Sequence, residues 1–147
     1  MNRRNVWVVT LASLLLVAAL PVAADDVEGE LTLVLEKWED ALNSGDIDEF
    51  MECYWADAVR IFYFPGSRQM EEGARAIRAA QSDIFSERSE PASFNYDPPV
   101  TFVPDGGTPS CVFANSAVGY MEIFEFERRV GEYRIIKQYV LPHPPAE

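Results

Sequence analysis

The chain has 147 residues, with 24 Asp and Glu against 12 Lys and Arg, for a formal net charge of −12. So acidic a surface repels polyphosphates and anionic lipid, which excludes nucleic acid and the membrane surface as partners. The length is that of one ordinary domain, enough to close a hydrophobic core.

Residues 1–24 read as a secretory signal peptide. Arg3 and Arg4 form a positive start, Val6 to Leu20 is an apolar run broken only by Thr10 and Ser13, and Pro21-Val22-Ala23-Ala24 supplies small residues before Asp25. The run is shorter than the ~20 residues needed to span a bilayer, so cleavage is expected rather than anchoring. The protein is therefore expected to be periplasmic or secreted, with a mature domain over residues 25–141 and a flexible Pro-rich tail over 142–147. Losing Arg3 and Arg4 deepens the negative charge by two. An oxidising compartment permits a bridge between Cys53 and Cys111, but their spacing does not demand one.

The first helix is predicted over Val27 to Asn43, because Leu31, Val34, Leu35, Trp38, Ala41 and Leu42 recur at helical spacing. Gly45 ends it. Asp46 caps a second helix, with Glu49 completing a capping-box pair and Ile47, Phe50, Met51 and Tyr54 as the buried stripe. Ala58 to Phe64 is a predicted strand with bulk on both faces, which implies cover on both sides. Pro65-Gly66 turns the chain into a short strand near Arg68 to Met70. Gly73 opens a third helix, Ala74 to Glu87, with Ile77, Ala80, Ile84 and Phe85 on its inner face. Ser93 to Val103 is extended but interrupted by Pro98-Pro99, which implies an edge or a bulge there. Cys111 to Ala117, Tyr120 to Arg128 and Tyr133 to Leu141 are the last strands. Helices followed by strands give an α+β domain, with three N-terminal helices covering one face of a strongly curved antiparallel sheet.

Three segments carry a resemblance. Gly45-Asp46 closing a helix, Tyr54 to Ala58 (Tyr-x-x-Asp-Ala) and Gly73 to Ile77 (Gly-x-x-x-Ile) resemble the SnoaL-like, nuclear-transport-factor-two-like superfamily, as does the terminal GEYRIIKQYV. The resemblance implies a cone-shaped cystatin-like roll enclosing one pocket, and frequent pairing of two copies through the open sheet face as a homodimer. The superfamily includes ketosteroid isomerases, polyketide cyclases, epoxide hydrolases, dehydratases and non-catalytic binding modules, so the fold does not choose among them.

The isomerase chemistry is the sharpest test, because it needs a proton-moving carboxylate and an oxyanion hole built with a tyrosine. Matched on Gly45-Asp46, the position of that tyrosine holds Trp38, and the position of the base falls near Phe62, which accepts no proton. The one histidine, His143, stands in the Pro-rich tail, with no second histidine or Cys-x-x-Cys to build a metal site, and no cofactor is implied.

What remains is a carboxylate on a sheet face. In the strand from Tyr120, alternation puts Tyr120, Glu122, Phe124 and Phe126 on one side and Met121, Ile123, Glu125 and Glu127 on the other. Facing the cone, Glu122 would be desolvated and its pKa raised, as an acid–base group requires. The competing reading pairs it with Arg60, Arg134 or Lys137 across strands. Asp97 is the second candidate acid. The rings of Trp38, Tyr54, Trp55, Phe62, Phe64, Phe102, Phe124 and Tyr139 serve either as core or as pocket wall; Trp38, Tyr54, Phe62, Phe124 and Tyr139 are the expected ligand contacts. Three functions follow: a binder of a small apolar molecule, a lyase, isomerase or hydrolase using Glu122 or Asp97, and a homodimerising interaction module.

Overall fold

The structure, a computed structural model, describes residues 24–115 and 119–142. The expected signal segment up to Ala23, the strand end at Ala117, and His143 with the remainder of the tail lie outside the described residues. Ala24 opens the first helix and Pro142 closes the last strand.

Helix α1 runs from Ala24 to Ser44, and its apolar stripe is buried at Leu31, Leu35, Trp38, Ala41 and Leu42. Gly45 leaves it with φ 78°, its N–H donating to the Ala41 carbonyl at 3.0 Å. Helix α2, Ile47–Glu52, is capped by Asp46, whose Oδ1 accepts from the Asp48 and Glu49 N–H groups at 3.0 Å each. This short helix ends sooner than its apolar spacing implies. Tyr54, expected on it, instead opens strand β1, Tyr54–Phe64, because it pairs with Ile135 and the Ile135 N–H donates to the Cys53 carbonyl at 2.8 Å. Tertiary pairing overrides the helical spacing here.

Strand β2, Ser67–Glu72, returns beside β1, and Gly73 (φ 82°) turns the chain into helix α3, Ala74–Ser86. A Cβ at Gly73 would meet the Ala56 carbonyl at 3.5 Å, an ordinary contact, so it is the positive φ that favours glycine there. The inner face of α3 is buried at Ile77 and Gln81, whereas Ile84, expected there, is 42% exposed. An irregular segment follows α3, then β3 (Val100–Phe102), β4 (Ser110–Asn115), β5 (Tyr120–Arg129) and β6 (Glu132–Pro142).

The six strands form one open, curved sheet in the order β2-β1-β6-β5-β4-β3. Four pairings are antiparallel and β1 with β6 is parallel. No hairpin joins β1 to β6; β2, α3, β3, β4 and β5 intervene, so nothing local fixes their relative direction. Of the edge or bulge that Pro98-Pro99 implies, the structure has the edge: the short β3 that follows them is the last strand of the sheet. In β6 one extra residue, Ile136, stands between the partners of Phe126 and Glu125, a β-bulge. Before it Ile135 faces the helices; after it Gln138 and Val140 do.

The helix-facing side is packed solid at one end. Trp38, Phe50, Phe124, Phe126, Leu31, Leu35 and Ile135 are nearly or fully inaccessible there, with Trp38 edge-on to Phe124 at 5.1 Å between centroids. Both cysteines are free and buried. Burial pushes the Cys53 thiol up to about 12, which keeps it a small apolar residue. The expected cover on both faces of β1 holds from Ala58 to Phe62 and fails at Tyr63 and Phe64, which are exposed.

Candidate functional site

At the other end of the same sheet the interior is hollow. A cavity of about 420 Å³ lies between the sheet, α1, α3 and the segment after α3. Trp38 and Leu42 enter from α1, Arg60, Phe62 and Phe64 from β1, and Gln81 and Ile84 from α3. Arg88, Phe94 and Tyr96 come from the irregular segment, Tyr120 and Glu122 from β5, and Gln138 and Val140 from β6. Phe64, Ile84 and Tyr120 are exposed at the mouth, while Arg60, Gln81, Glu122 and Gln138 form a buried polar floor.

The floor is organised by one hydrogen-bond chain whose direction is fixed at its first link. The Trp38 indole, which can only donate, donates from Nε1 to the Tyr54 hydroxyl at 2.8 Å. The Tyr54 hydroxyl in turn donates to Gln138 Oε1 at 2.6 Å. The Gln138 amide is thereby oriented, and its Nε2 donates to Glu122 Oε2. The Tyr96 hydroxyl donates to the other carboxylate oxygen, Glu122 Oε1, at 2.7 Å. Both oxygens of Glu122 thus receive a neutral donor from the protein.

Glu122 is 6% exposed. Burial raises its carboxyl above the ordinary range, against the opposing pull of the Tyr96 and Gln138 donors and the Arg60 charge. Burial likewise holds the Tyr96 phenol well above its usual value, reinforced by the Glu122 negative charge, and burial does the same to Tyr54. Each of these groups therefore keeps its proton to higher pH than it would in water.

Arg60 adjoins this cluster. Its Nε donates to Glu71 Oε2 and its Nη1 to Gln81 Oε1, both at 2.6 Å. Its guanidinium carbon lies 5.0 Å from the centre of the Phe62 ring. Arg60 therefore does not pair with Glu122. Arg134 and Lys137, the other expected partners, form ion pairs with Glu132 and Glu125.

Of the residues expected at the site, Trp38, Phe62 and Glu122 line the cavity. Tyr54 stands behind the wall and acts through Gln138. Phe124 belongs to the packed end, against Trp38 and Phe126. Tyr139 points to the opposite face, where its hydroxyl donates to Glu125 at 3.1 Å. Simple alternation from Ile135 puts Tyr139 inside, and the Ile136 bulge reverses that parity. Asp97 is exposed and outside the cavity lining; only its backbone N–H is engaged, with the Ala114 carbonyl at 2.9 Å. From the wider aromatic set, Phe102 is exposed on the edge strand. Trp55 donates to the Glu127 carbonyl.

The sequence reading leaves out Tyr96, Gln81 and Gln138. Tyr96 lies in a segment without periodicity. Asn43 holds that segment through reciprocal bonds with the Phe94 backbone, and Glu39 accepts from the Tyr96 N–H. Asn43 and Glu39 on a polar helix flank are the only local sign of this docking. Gln81 occupies the buried helical position four residues after Ile77, the one signal that would find it.

No protein-family model matches the chain, and no curated protein matches it either. Solved structures do. An NTF2-like protein of unknown function from Pseudomonas putida superposes with a TM-score of 0.66 at 15% identity, over 84% of this chain and 90% of its own. A cystatin-like-fold protein of unknown function from Nostoc punctiforme gives 0.65 at 9% identity, over 83% and 94%. An NTF2-like protein from Streptomyces avermitilis, provisionally described as a dehydratase, gives 0.63 at 14% identity, over 82% and 98%. At such identities the likeness is one of architecture, and the helices laid across a bent six-stranded sheet account for it: the chain has the NTF2-like, cystatin-like fold.

Proposed function

We propose that this is a secreted domain that binds one small, largely apolar molecule in the open end of its cone. The observation that carries the reading is the cavity itself. Its volume falls within the range of about 300–1,000 Å³ usual for small-molecule sites, and apolar walls converge on a few fixed polar groups, as such sites require. The secretion part rests on the N-terminal sequence layout alone. A calorimetric titration with naphthalene-sized apolar compounds tests the cavity. One-site saturable binding is expected, and Val140→Trp, which fills the chamber, should abolish it. Binding that survives in the filled variant would place the molecule elsewhere.

A second reading, proton-transfer catalysis, is favoured by one specific contact. Glu122 and Tyr96 are two titratable groups bonded to each other inside the cavity, the arrangement an acid–base enzyme needs and a simple binder does not. In this reading Glu122 shuttles the proton, Tyr96 orients it, and the reaction is a dehydration or isomerisation of the bound molecule. The dehydratase description of the Streptomyces avermitilis protein agrees with that class. Once a substrate is found, Glu122→Gln should reduce turnover by at least about a hundredfold. Undiminished turnover in that variant would remove Glu122 from the chemistry.

A further inference from the structure

One fully buried side-chain donor on the cavity floor has no partner. Arg60 is 3% exposed, and its Nε and Nη1 are bonded to Glu71 and Gln81. Its Nη2 is the one buried side-chain nitrogen or oxygen among the described residues that has no hydrogen-bond partner. Folded proteins rarely leave such a donor unmatched, because its desolvation is then uncompensated. The unmatched donor belongs to a residue that lines the cavity, on the same strand face as Phe62 and beside Gln138 in register.

We infer that the bound molecule carries a neutral carbonyl oxygen that accepts a hydrogen bond from Arg60 Nη2. The inference rests on the cavity being a binding site, as proposed above, and adds the chemical class of what it binds. A guanidinium nitrogen only donates, and a carbonyl brings an acceptor with no donor of its own to satisfy.

Charge balance selects the neutral acceptor over a carboxylate. The positive charge of Arg60 is already matched by Glu71 at 2.6 Å. A carboxylate guest would add an unmatched negative charge to a poorly solvated chamber that Glu122 also faces. The other cation in the lining, Arg88, does not offset this. Its Nη1 is engaged by the Leu42 carbonyl at 2.7 Å, and its guanidinium lies over Phe85 and Phe94. Arg88 also lines a groove on the outside with Asn43 and Ser44, so it stands in the wall where solvent screens it.

Three probes with one ring skeleton test this at pH 7: 2-acetylnaphthalene, 2-ethylnaphthalene and 2-naphthoate, each titrated calorimetrically into the protein. The ketone is expected to bind about tenfold tighter than the hydrocarbon, as a hydrogen bond to a charged donor warrants, and tighter than the carboxylate. Arg60→Lys keeps the charge beside Glu71 but removes Nη2. In that variant, folded by circular dichroism, the roughly tenfold preference for the ketone over the hydrocarbon should disappear. Equal binding of ketone and hydrocarbon to the unmodified protein overturns the inference and leaves the cavity reading standing. So does a carboxylate that binds tightest, or a ketone preference that survives Arg60→Lys. Failure of all three probes to bind refutes the cavity reading, and this inference with it. The ranking on the unmodified protein decides the matter even if the variant does not fold.

Discussion

The two ends of the cone share their elements and differ in what those elements carry. Along β5, Phe126 and Phe124 face inward at the packed end and Glu122 and Tyr120 at the open end. Along β6 the inward residues change from Ile135 to Gln138, and along α3 from Ile77 to Gln81. Strand β1 follows suit, from Tyr54 and Ala58 to Arg60 and Phe62. In each element an apolar residue at the packed end is followed inward by a polar one at the cavity floor. Stability is invested at one end, and at the other a hollow with polar groups is tolerated because they are bonded to one another. Trp38 stands at the boundary, with its ring in the core and its N–H starting the chain that ends on Glu122.

The contrast breaks first, and hardest, in the core. Phe124→Ala should destabilise the fold by about 3–5 kcal/mol, because it empties a site with no exposure. Phe62→Ala, at the half-buried cavity wall, should cost about 1 kcal/mol or less while weakening ligand binding. Urea midpoints of the two variants measure the difference directly; similar losses would mean that the two ends are equally load-sharing.

The boundary residue comes next. Trp38→Phe keeps most of the ring but removes the donor that orients Tyr54 and, through it, Gln138. A loss of about 1–3 kcal/mol is expected from the orphaned buried groups. If the chain is directional as described, Trp38→Phe combined with Glu122→Gln should cost less than the sum of the single changes, which a double-mutant cycle in urea would resolve.

The smallest effect is one of pH. Burial raises the native pKa of Glu122 above its ordinary value of 4.5, so between those two values the folded state binds more protons than the unfolded chain. The contribution of Glu122 to stability is therefore full below about pH 4.5 and declines as pH rises through the native pKa. Glu122→Gln cannot titrate and should remove that decline. The stability of the parent minus that of the variant should fall with rising pH across this window; a flat or rising difference would mean that Glu122 is not held as an acid.

Much of this was legible in the amino-acid order. Helical spacing located α1, the Gly45-Asp46 corner located α2, and two-residue alternation in β5 put Glu122 inside. What escaped had physical causes. The end of α2 was set by pairing of Tyr54 with a residue more than half the chain away. Tyr96 reached the cavity on a segment fixed by side-chain bonds rather than by any repeat. The inward direction of Gln138 depended on Ile136, which no periodicity reveals. Glu122, expected to find a cationic partner, instead found two neutral ones, because Arg60 was engaged by Glu71 and Gln81.

Ile136 has a wider consequence. Because Ile136 bulges out of the ladder, the distal half of β6 presents Gln138 and Val140 to the chamber, where unbroken alternation from Ile135 through Ile136 would present Lys137 and Tyr139. Deleting Ile136 would leave Ile135 opposite Phe126 and Lys137 opposite Glu125 in a regular ladder, so Gln138 and Val140 should still face the chamber; a crystal structure of the deletion would show whether that lining persists. A scaffold built in this way can lose one codon at the bulge and keep the lining of its chamber.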